Sequence, residues 1–162
     1  MRTFLEGICW IAAALLQWQL DNHLSIYGLS PDLLFTASIA FASFSSETRG
    51  ALWAFFAGLY ADMYYGSPLG ASALAYTLSA WAAQIAAQRF DLFDRLTQTA
   101  AVFLFSWPAC LMCQVLFLLF SSGTMLSLKY LCAIPFLNAL SAPFVFAAVL
   151  GLKRVFRMED RY

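Results

Sequence analysis

The sequence predicts an all-α integral membrane protein, a bundle of six transmembrane helices. Of the 162 residues, 62% are hydrophobic and only 11% are charged, and the mean hydropathy is +0.73, whereas about a quarter of the residues in a soluble domain are charged. Apolar runs recur along the whole length, and a bilayer core needs about 20 apolar residues per helix. Six such runs nearly exhaust the chain, so we expect a single membrane domain over residues 1–162.

Short polar or turn-forming segments separate the predicted helices. We expect helices over residues 3–20, 31–46, 50–65, 69–87, 98–120 and 130–152, and a basic tail over residues 153–162. Residues 1–20 lack the small residues of a signal-peptide cleavage site, so we interpret them as a membrane helix. In its first turn, Arg2 and Glu6 have the i, i+4 spacing of a helical ion pair, and Asp21-Asn22-His23 follows the helix as a polar break.

Three consecutive residues predict the start of the second helix. Proline is favoured at the first helical position, as for Pro31. Ser30 is a good N-cap, and Asp32 complements the helix dipole. The third helix follows a predicted polar turn over residues 45–49.

Small residues and prolines characterise the last three helices. Residues 69–87 are rich in alanine and serine, through which membrane helices pack closely, so we expect this helix to be central. Pro108 predicts a kink in the fifth helix, and Pro135 and Pro143 predict interruptions of the sixth.

A sharp reversal is predicted between the third and fourth helices. Pro68 fixes its own φ and disfavours helix at the residue before it, and Gly66 and Gly70 can take backbone angles closed to other residues. Asp62 lies one turn inside this reversal. Because a carboxylate in a membrane helix is costly, two interpretations stay open. One is a contact with an ion, a proton or a partner; the other is a helix-end carboxylate hydrogen-bonded to a neighbouring tyrosine or to the backbone of the reversal.

The basic residues predict the orientation in the membrane. If the N-terminus of a six-helix chain is cytoplasmic, Lys129 is the one basic residue in an outer segment, and the other eight are cytoplasmic. Cytoplasmic loops carry the excess of Lys and Arg, so we expect both termini in the cytoplasm. The cytoplasmic set is Arg2, Arg49, Arg89, Arg95, Lys153, Arg154, Arg157 and Arg161.

The sequence offers little support for catalysis or metal binding. Cys110 and Cys113 form a CxxC, but a second pair and a nearby histidine are absent from the sequence, so packing residues are the simpler interpretation. The single histidine, His23, lacks the further ligands of a metal site. An intramembrane aspartyl protease needs two carboxylates that share a proton, and only Asp62 lies deep in an apolar context. We therefore expect no enzyme activity, cofactor or metal.

The chain carries Pro31-Asp32 at the start of an apolar helix, and then Gly58-x3-Asp62-x3-Gly66-x3-Gly70 before a helix of small residues. This combination resembles the family of the rod shape-determining protein MreD. The similarity is best over residues 31–83, and the length, the six-helix organisation and the basic tail also agree. The resulting candidates for structural or partner-contact roles are Pro31, Gly58, Asp62, Gly66, Pro68 and Gly70.

The resemblance implies a non-catalytic protein of the bacterial inner membrane. Members of the family work with the single-span protein MreC, the actin-like MreB filament, and RodA with its penicillin-binding protein. Their fold is similar to the substrate-binding subunits of energy-coupling-factor transporters. We therefore expect a scaffold of the cell-elongation complex that binds MreC and helps to organise lateral peptidoglycan synthesis, surrounded by membrane lipid and without a nucleic-acid partner. The alternative is a vitamin-transporter subunit with an outward pocket lined by Tyr60, Tyr64, Tyr65 and Trp81.

Overall fold

Six α-helices make up the fold. The computed structural model describes residues 2–23, 30–90, 94–120 and 128–155. The helices are α1 (Arg2–His23), α2 (Leu33–Ser43), α3 (Glu47–Tyr65), α4 (Ala71–Ala87), α5 (Arg95–Phe120) and α6 (Leu128–Val155). The prediction of an all-helical chain with six helices is confirmed. The basic tail after residue 155 lies outside the described residues, as do the side chains of Arg2 and Lys129.

Two of the described helical stretches are long and apolar enough to cross a membrane. By length and composition alone, these are Arg95–Phe120 and Leu131–Arg154, while the apolar helix Leu33–Ser43 is shorter. A bundle with six membrane spans therefore stays a prediction.

The polar break expected after α1 is helical in the structure. Asn22 Nδ2 donates to the Trp18 carbonyl at 3.0 Å, and Gln17 Nε2 donates to Asp21 Oδ1 at 2.9 Å. Both bonds join residues four apart, the spacing at which helical side chains and backbone meet. They allow α1 to continue through His23, which is exposed in its last turn.

The N-cap of α2 is Asp32 and not Ser30. The Asp32 carboxylate accepts from the Phe35 amide at 3.0 Å, which is the bond expected of an N-cap side chain to the third helical residue. Pro31 consequently precedes the cap and the helix begins at Leu33.

The polar turn expected over residues 45–49 is shorter than predicted. Ser46 has extended backbone angles at the N-cap of α3, and its carbonyl accepts from the Gly50 amide at 3.0 Å, so the helix already begins at Glu47.

Prolines do not interrupt the later helices: α5 continues through Pro108, and α6 continues through Pro135 and Pro143. A proline removes a single amide donor, and neighbouring helices can compensate for that loss.

The short helix α2 lies at the centre of the bundle. It packs against α1, α3, α4 and α6, and Leu34, Phe35, Ile39 and Ala40 are almost completely buried. A helix that is apolar all round belongs in such a position. Its 11 residues are therefore surrounded mostly by protein.

Helices α3 and α4 form a close antiparallel pair after the reversal. Their facing residues are small, including buried Ala57 and Ala61 on α3 and Ala73 and Ala80 on α4. A Cβ on Gly58 would lie 2.5 Å from the Ala73 Cα. Gly58 therefore permits an approach of the two backbones that no other residue allows.

The helix ends gather in two groups. At the end that we call the basic end, Glu6 near the start of α1 meets Trp53 of α3, and Lys153 near the end of α6 meets Ser45 after α2. At the opposite end, which we call the reversal end, the last turn of α1, the start of α2 and the α3–α4 reversal lie together. Consecutive helices thus run alternately in opposite directions through the bundle.

The close approach at Gly58 leads to a stability prediction. We expect Gly58→Ala to lower the free energy of unfolding by about 1–3 kcal/mol, the usual cost of overpacking, because α4 has to move away. The measurement is thermal unfolding of the detergent-solubilised protein. Gly151→Ala is the control, since a Cβ added at Gly151 would meet nothing within 4 Å. Equal unfolding temperatures for Gly58→Ala and the wild type would contradict the packing argument.

Candidate functional site

The reversal between α3 and α4 is built on two glycines with positive φ. Gly66 (φ 66°) ends α3 and its amide donates to the Asp62 carbonyl, and Gly70 (φ 100°) precedes α4. Left-handed glycine is the usual way to end a helix, with proline soon after it. Pro68 follows here, and its carbonyl accepts from the Ala71 amide at 3.1 Å.

The carboxylate of Asp62 holds this reversal together. It is buried, with 1% exposure. Oδ1 accepts from Ser67 Oγ and from the Ser72 amide, each at 2.8 Å, and Oδ2 accepts from the Gly70 amide at 2.8 Å and the Ala73 amide at 3.4 Å. The side chain therefore caps the N-terminus of α4 from the preceding helix, where the helix dipole favours a negative charge. Of the two interpretations of Asp62, this geometry corresponds to the carboxylate bound to the backbone of the reversal.

The six residues singled out from the sequence occupy three places. Asp62, Gly66, Pro68 and Gly70 come together in the reversal, and Gly58 lies one turn deeper at the contact with α4. Pro31 is on another segment, at the start of α2. Its carbonyl accepts from Gln17 Nε2 at 3.2 Å, and the same amide group donates to Tyr65 Oη at 3.1 Å, so Gln17 connects Pro31 to the end of α3.

A second cluster of polar side chains surrounds the start of α2; we call it the α2 network. Its members are Gln17, Asp21, Ser30, Asp32, Tyr65, Tyr76, Ser106 and Asn138. All six helices, or the residues that directly precede them, contribute to it. Its bonds form two groups, one around Gln17 and one around Asp32.

The Gln17 group joins α1 to α2 and α3. Gln17 is 1% exposed, and its Oε1 accepts from the Leu33 amide at 2.7 Å. Tyr65 Oη donates to Asp21 Oδ2 at 3.0 Å, and Ser30 Oγ donates to Asp21 Oδ1. The side-chain amide of Gln17 thus accepts from the start of α2 and donates to Pro31 and Tyr65, which fixes the last turns of α1 against α2 and α3.

The Asp32 group joins α2 to the remaining helices. Tyr76 Oη on α4 donates to Asp32 Oδ2, and the Asp32 amide donates to Asn138 Oδ1 on α6 at 2.7 Å. Asn138 Nδ2 in turn donates to Ser106 Oγ on α5 at 3.3 Å. Both Asn138 and Ser106 are buried. Bonds of this kind between membrane helices contribute on the order of 0.6–2 kcal/mol each.

Polar side chains within apolar runs of the sequence could have predicted part of the α2 network, but this pattern was not used. Gln17 and Asn138 each interrupt a long hydrophobic stretch, and membrane helices use such side chains for interhelical hydrogen bonds. Tyr76 and Ser106 carry no comparable signal, because both are common in helices that face lipid or pack without hydrogen bonds.

The basic end contains two buried charged side chains. Lys153 Nζ donates to the Phe44 carbonyl and to Ser45 Oγ (2.6 Å), and it lies 4.7 Å from the centre of the Phe41 ring. Glu6 Oε2 accepts from Trp53 Nε1 at 2.9 Å. The side chain of Arg2 is not described, so its expected pairing with Glu6 stays a prediction.

No metal centre is found in the part of the chain that the structure describes: it contains no group of three or more His, Cys, Asp and Glu residues that could hold an ion. Cys110 and Cys113 are free thiols, and Cys113 Sγ lies 4.0 Å from Ser72 Oγ.

The aromatic residues expected to line a transporter pocket do not line the cavity found in the described residues. Tyr60 stacks on Tyr64 with 6.1 Å between ring centres. A cavity of about 390 Å³ lies elsewhere, between α1, α2 and α6, and none of the four aromatic residues expected in a transporter pocket lines it.

The capping role of Asp62 predicts a large effect of removing its charge. We expect Asp62→Asn to lower the free energy of unfolding by about 1–3 kcal/mol, because an amide group would then face backbone donors at the start of α4. Asp94→Asn is the control: Asp94 also accepts from a backbone amide near a helix start, at 3.4 Å, but is exposed, and a change within about 0.5 kcal/mol is expected. A stable Asp62→Asn protein that fails to restore cell shape would instead favour a direct functional role of the carboxylate.

The α2 network predicts that Asn138 stabilises the bundle. Asn138→Leu keeps the branching of the side chain at Cγ but leaves the Asp32 amide and Ser106 Oγ without their partner, so we expect a loss of about 1–3 kcal/mol in denaturant unfolding. Gln19→Leu, at an exposed position on α1, should change stability by about 0.5 kcal/mol or less. If both variants unfold alike, Asn138 does not hold α2 in place.

The chain matches a known family model over most of its length. The family model described as rod shape-determining protein MreD matches residues 1–153, which include both the reversal and the α2 network. No curated protein and no solved structure matches the chain. The resemblance inferred from the sequence is confirmed, and with it a role in determining rod shape and the assignment as a membrane protein. The chain belongs to the MreD family of rod shape-determining proteins.

Proposed function

We propose that this chain is a non-catalytic scaffold of the bacterial cell-elongation complex in the inner membrane. In this proposal it maintains cell shape by binding MreC directly and helps to organise lateral peptidoglycan synthesis, with MreB and RodA with its penicillin-binding protein as further partners. The observation that carries the proposal is the family match over residues 1–153, because it covers every described helix nearly completely.

The hydrogen bonds of the buried carboxylates Asp62 and Asp32 support a structural role for the chain. Both oxygens of Asp62 accept bonds from backbone amides, and both oxygens of Asp32 accept bonds from within the bundle. A general acid or base needs to reach the proton that it transfers. These two carboxylates are instead engaged in holding helices, which is the task of a structural protein.

The outer surface of the described helices supports a membrane location. Large apolar side chains are exposed on every one of α1, α3, α4, α5 and α6, among them Ile11, Phe56, Leu74, Leu104 and Phe144. Soluble monomers rarely expose apolar surface on this scale, whereas lipid and partner helices provide matching surroundings.

The grouping of the helix ends supports an orientation with both termini in the cytoplasm. Arg49 at the start of α3 and Lys153 and Arg154 at the end of α6 lie at the basic end, where α1 also begins. Because cytoplasmic segments carry the excess of basic residues, we place the basic end in the cytoplasm and the reversal at Gly66–Gly70 on the outer side.

Recovery of partners tests the scaffold proposal. The tagged full-length chain is expressed in its own host, extracted in mild detergent and captured, and co-purifying proteins are identified by mass spectrometry. We expect MreC to be enriched several-fold over a capture with an equally tagged, unrelated multi-span protein. Recovery of transporter ATPase subunits with MreC absent would overturn the proposal in favour of the vitamin-transporter alternative.

A further inference from the structure

An apolar groove opens between α1 and α6, and α2 forms its floor. Leu33, Ala37 and Phe41 lie four residues apart along one row of α2 and form the floor, while Ala12 and Val149 belong to the two walls. The main contact of α1 is with α2. The groove therefore exists because α1 and α6 both rest on α2 without closing over it.

The groove has one charged end. Lys153 and Glu6 line it at the basic end, where Lys153 is held by Ser45 Oγ and the Phe44 carbonyl. Arg154 is exposed next to it in the same last turn of α6. The remainder of the lining is apolar. Because Glu6 and Lys153 carry opposite charges, the exposed Arg154 beside the groove supplies the net positive charge at this end.

The size of the groove selects the kind of occupant. From Leu33 to Phe41 the floor is about 12 Å long, at 1.5 Å per residue, and a helix of about 10 Å diameter would occupy on the order of 900 Å³ over that length. The groove holds about 390 Å³. It is too narrow to enclose a partner helix, and an extended hydrocarbon chain is the bilayer component that has a smaller cross-section.

We propose that this groove binds one acyl chain of a bilayer phospholipid, with the lipid phosphate beside the exposed Arg154 at the basic end. An empty groove in a bilayer would leave its walls without dispersion partners, and a chain between α1 and α6 supplies them. Basic residues near the cytoplasmic face attract lipid phosphates. The site is independent of the partner-binding role, and the chain would add a contact between α1 and α6 to those that α1 makes with α2 and α3.

Filling the groove tests the proposal. Wild-type protein and Ala37→Trp are purified with extensive detergent washing and examined by native mass spectrometry. We expect one retained phospholipid per wild-type chain and several-fold less in Ala37→Trp, because the indole occupies the floor. Leu74→Trp, at an exposed position on α4 outside the groove, should retain lipid as the wild type does. Equal retention in all three proteins would overturn the assignment.

Photo-cross-linking tests the occupant without filling the groove, so it decides the question even if Ala37→Trp does not fold. A photoreactive amino acid is placed at Leu152 near the basic end, at Leu16 on α1, or at Leu74 as control. In washed protein we expect lipid adducts at Leu152 and Leu16 but not at Leu74. Fragmentation should place the Leu152 adduct near the glycerol and the Leu16 adduct in the acyl tail. Adducts with a protein segment, the reverse order along the lipid, or no adduct at either groove position would overturn the proposal.

Discussion

Two backbone amides at the start of α2 have to find hydrogen-bond acceptors inside the bundle, because no preceding helical turn supplies them. In a bilayer, non-helical backbone is tolerated only where protein or an aqueous cavity satisfies its polar groups. The Asp32 amide donates to Asn138 on α6, and the Leu33 amide donates to Gln17 on α1. The hydrogen bonds that the first amides of α2 require therefore fix α1 and α6, which are far apart in sequence, against α2. Helix α2 is thus the element to which the other helices are attached.

Helix α2 can be central because it is short and lacks charge. It is only 11 residues long and buried on most sides, so it does not have to present a lipid-facing surface. Around it, α3 and α4 form the tightest pair, where alanines and Gly58 bring the backbones together. The reversal that joins the pair is closed by Asp62, whose charge is compensated by the amides of α4. Packing and electrostatics thus act at the same place.

The local features of this chain were predictable from its sequence, and the long-range ones were not. Glycine and proline spacing predicts the reversal, and composition predicts six helices, since both depend on neighbouring residues. The extension of α1 through His23 was missed because the polar residues Asp21, Asn22 and His23 suggest a break in the helix. In the structure, side-chain hydrogen bonds of Asp21 and Asn22 to residues one turn earlier keep this segment helical. The bond from the Asp32 amide to Asn138 joins residues 106 positions apart. A polar residue in an apolar run indicates that a partner exists, but only the fold identifies it.

The helices of the bundle differ in how tightly they pack, and this difference determines which helix can respond most easily to lipid or to a partner. The α3–α4 pair is fixed by backbone proximity and by a buried carboxylate, whereas α1 rests on α2 and meets α3 through single side chains such as Glu6 and Trp10. Part of its inner face borders the groove. Segments with few packing contacts open at lower free energy than the core. Whatever occupies the groove therefore acts on α1, the least constrained helix, and not on the rigid α3–α4 pair.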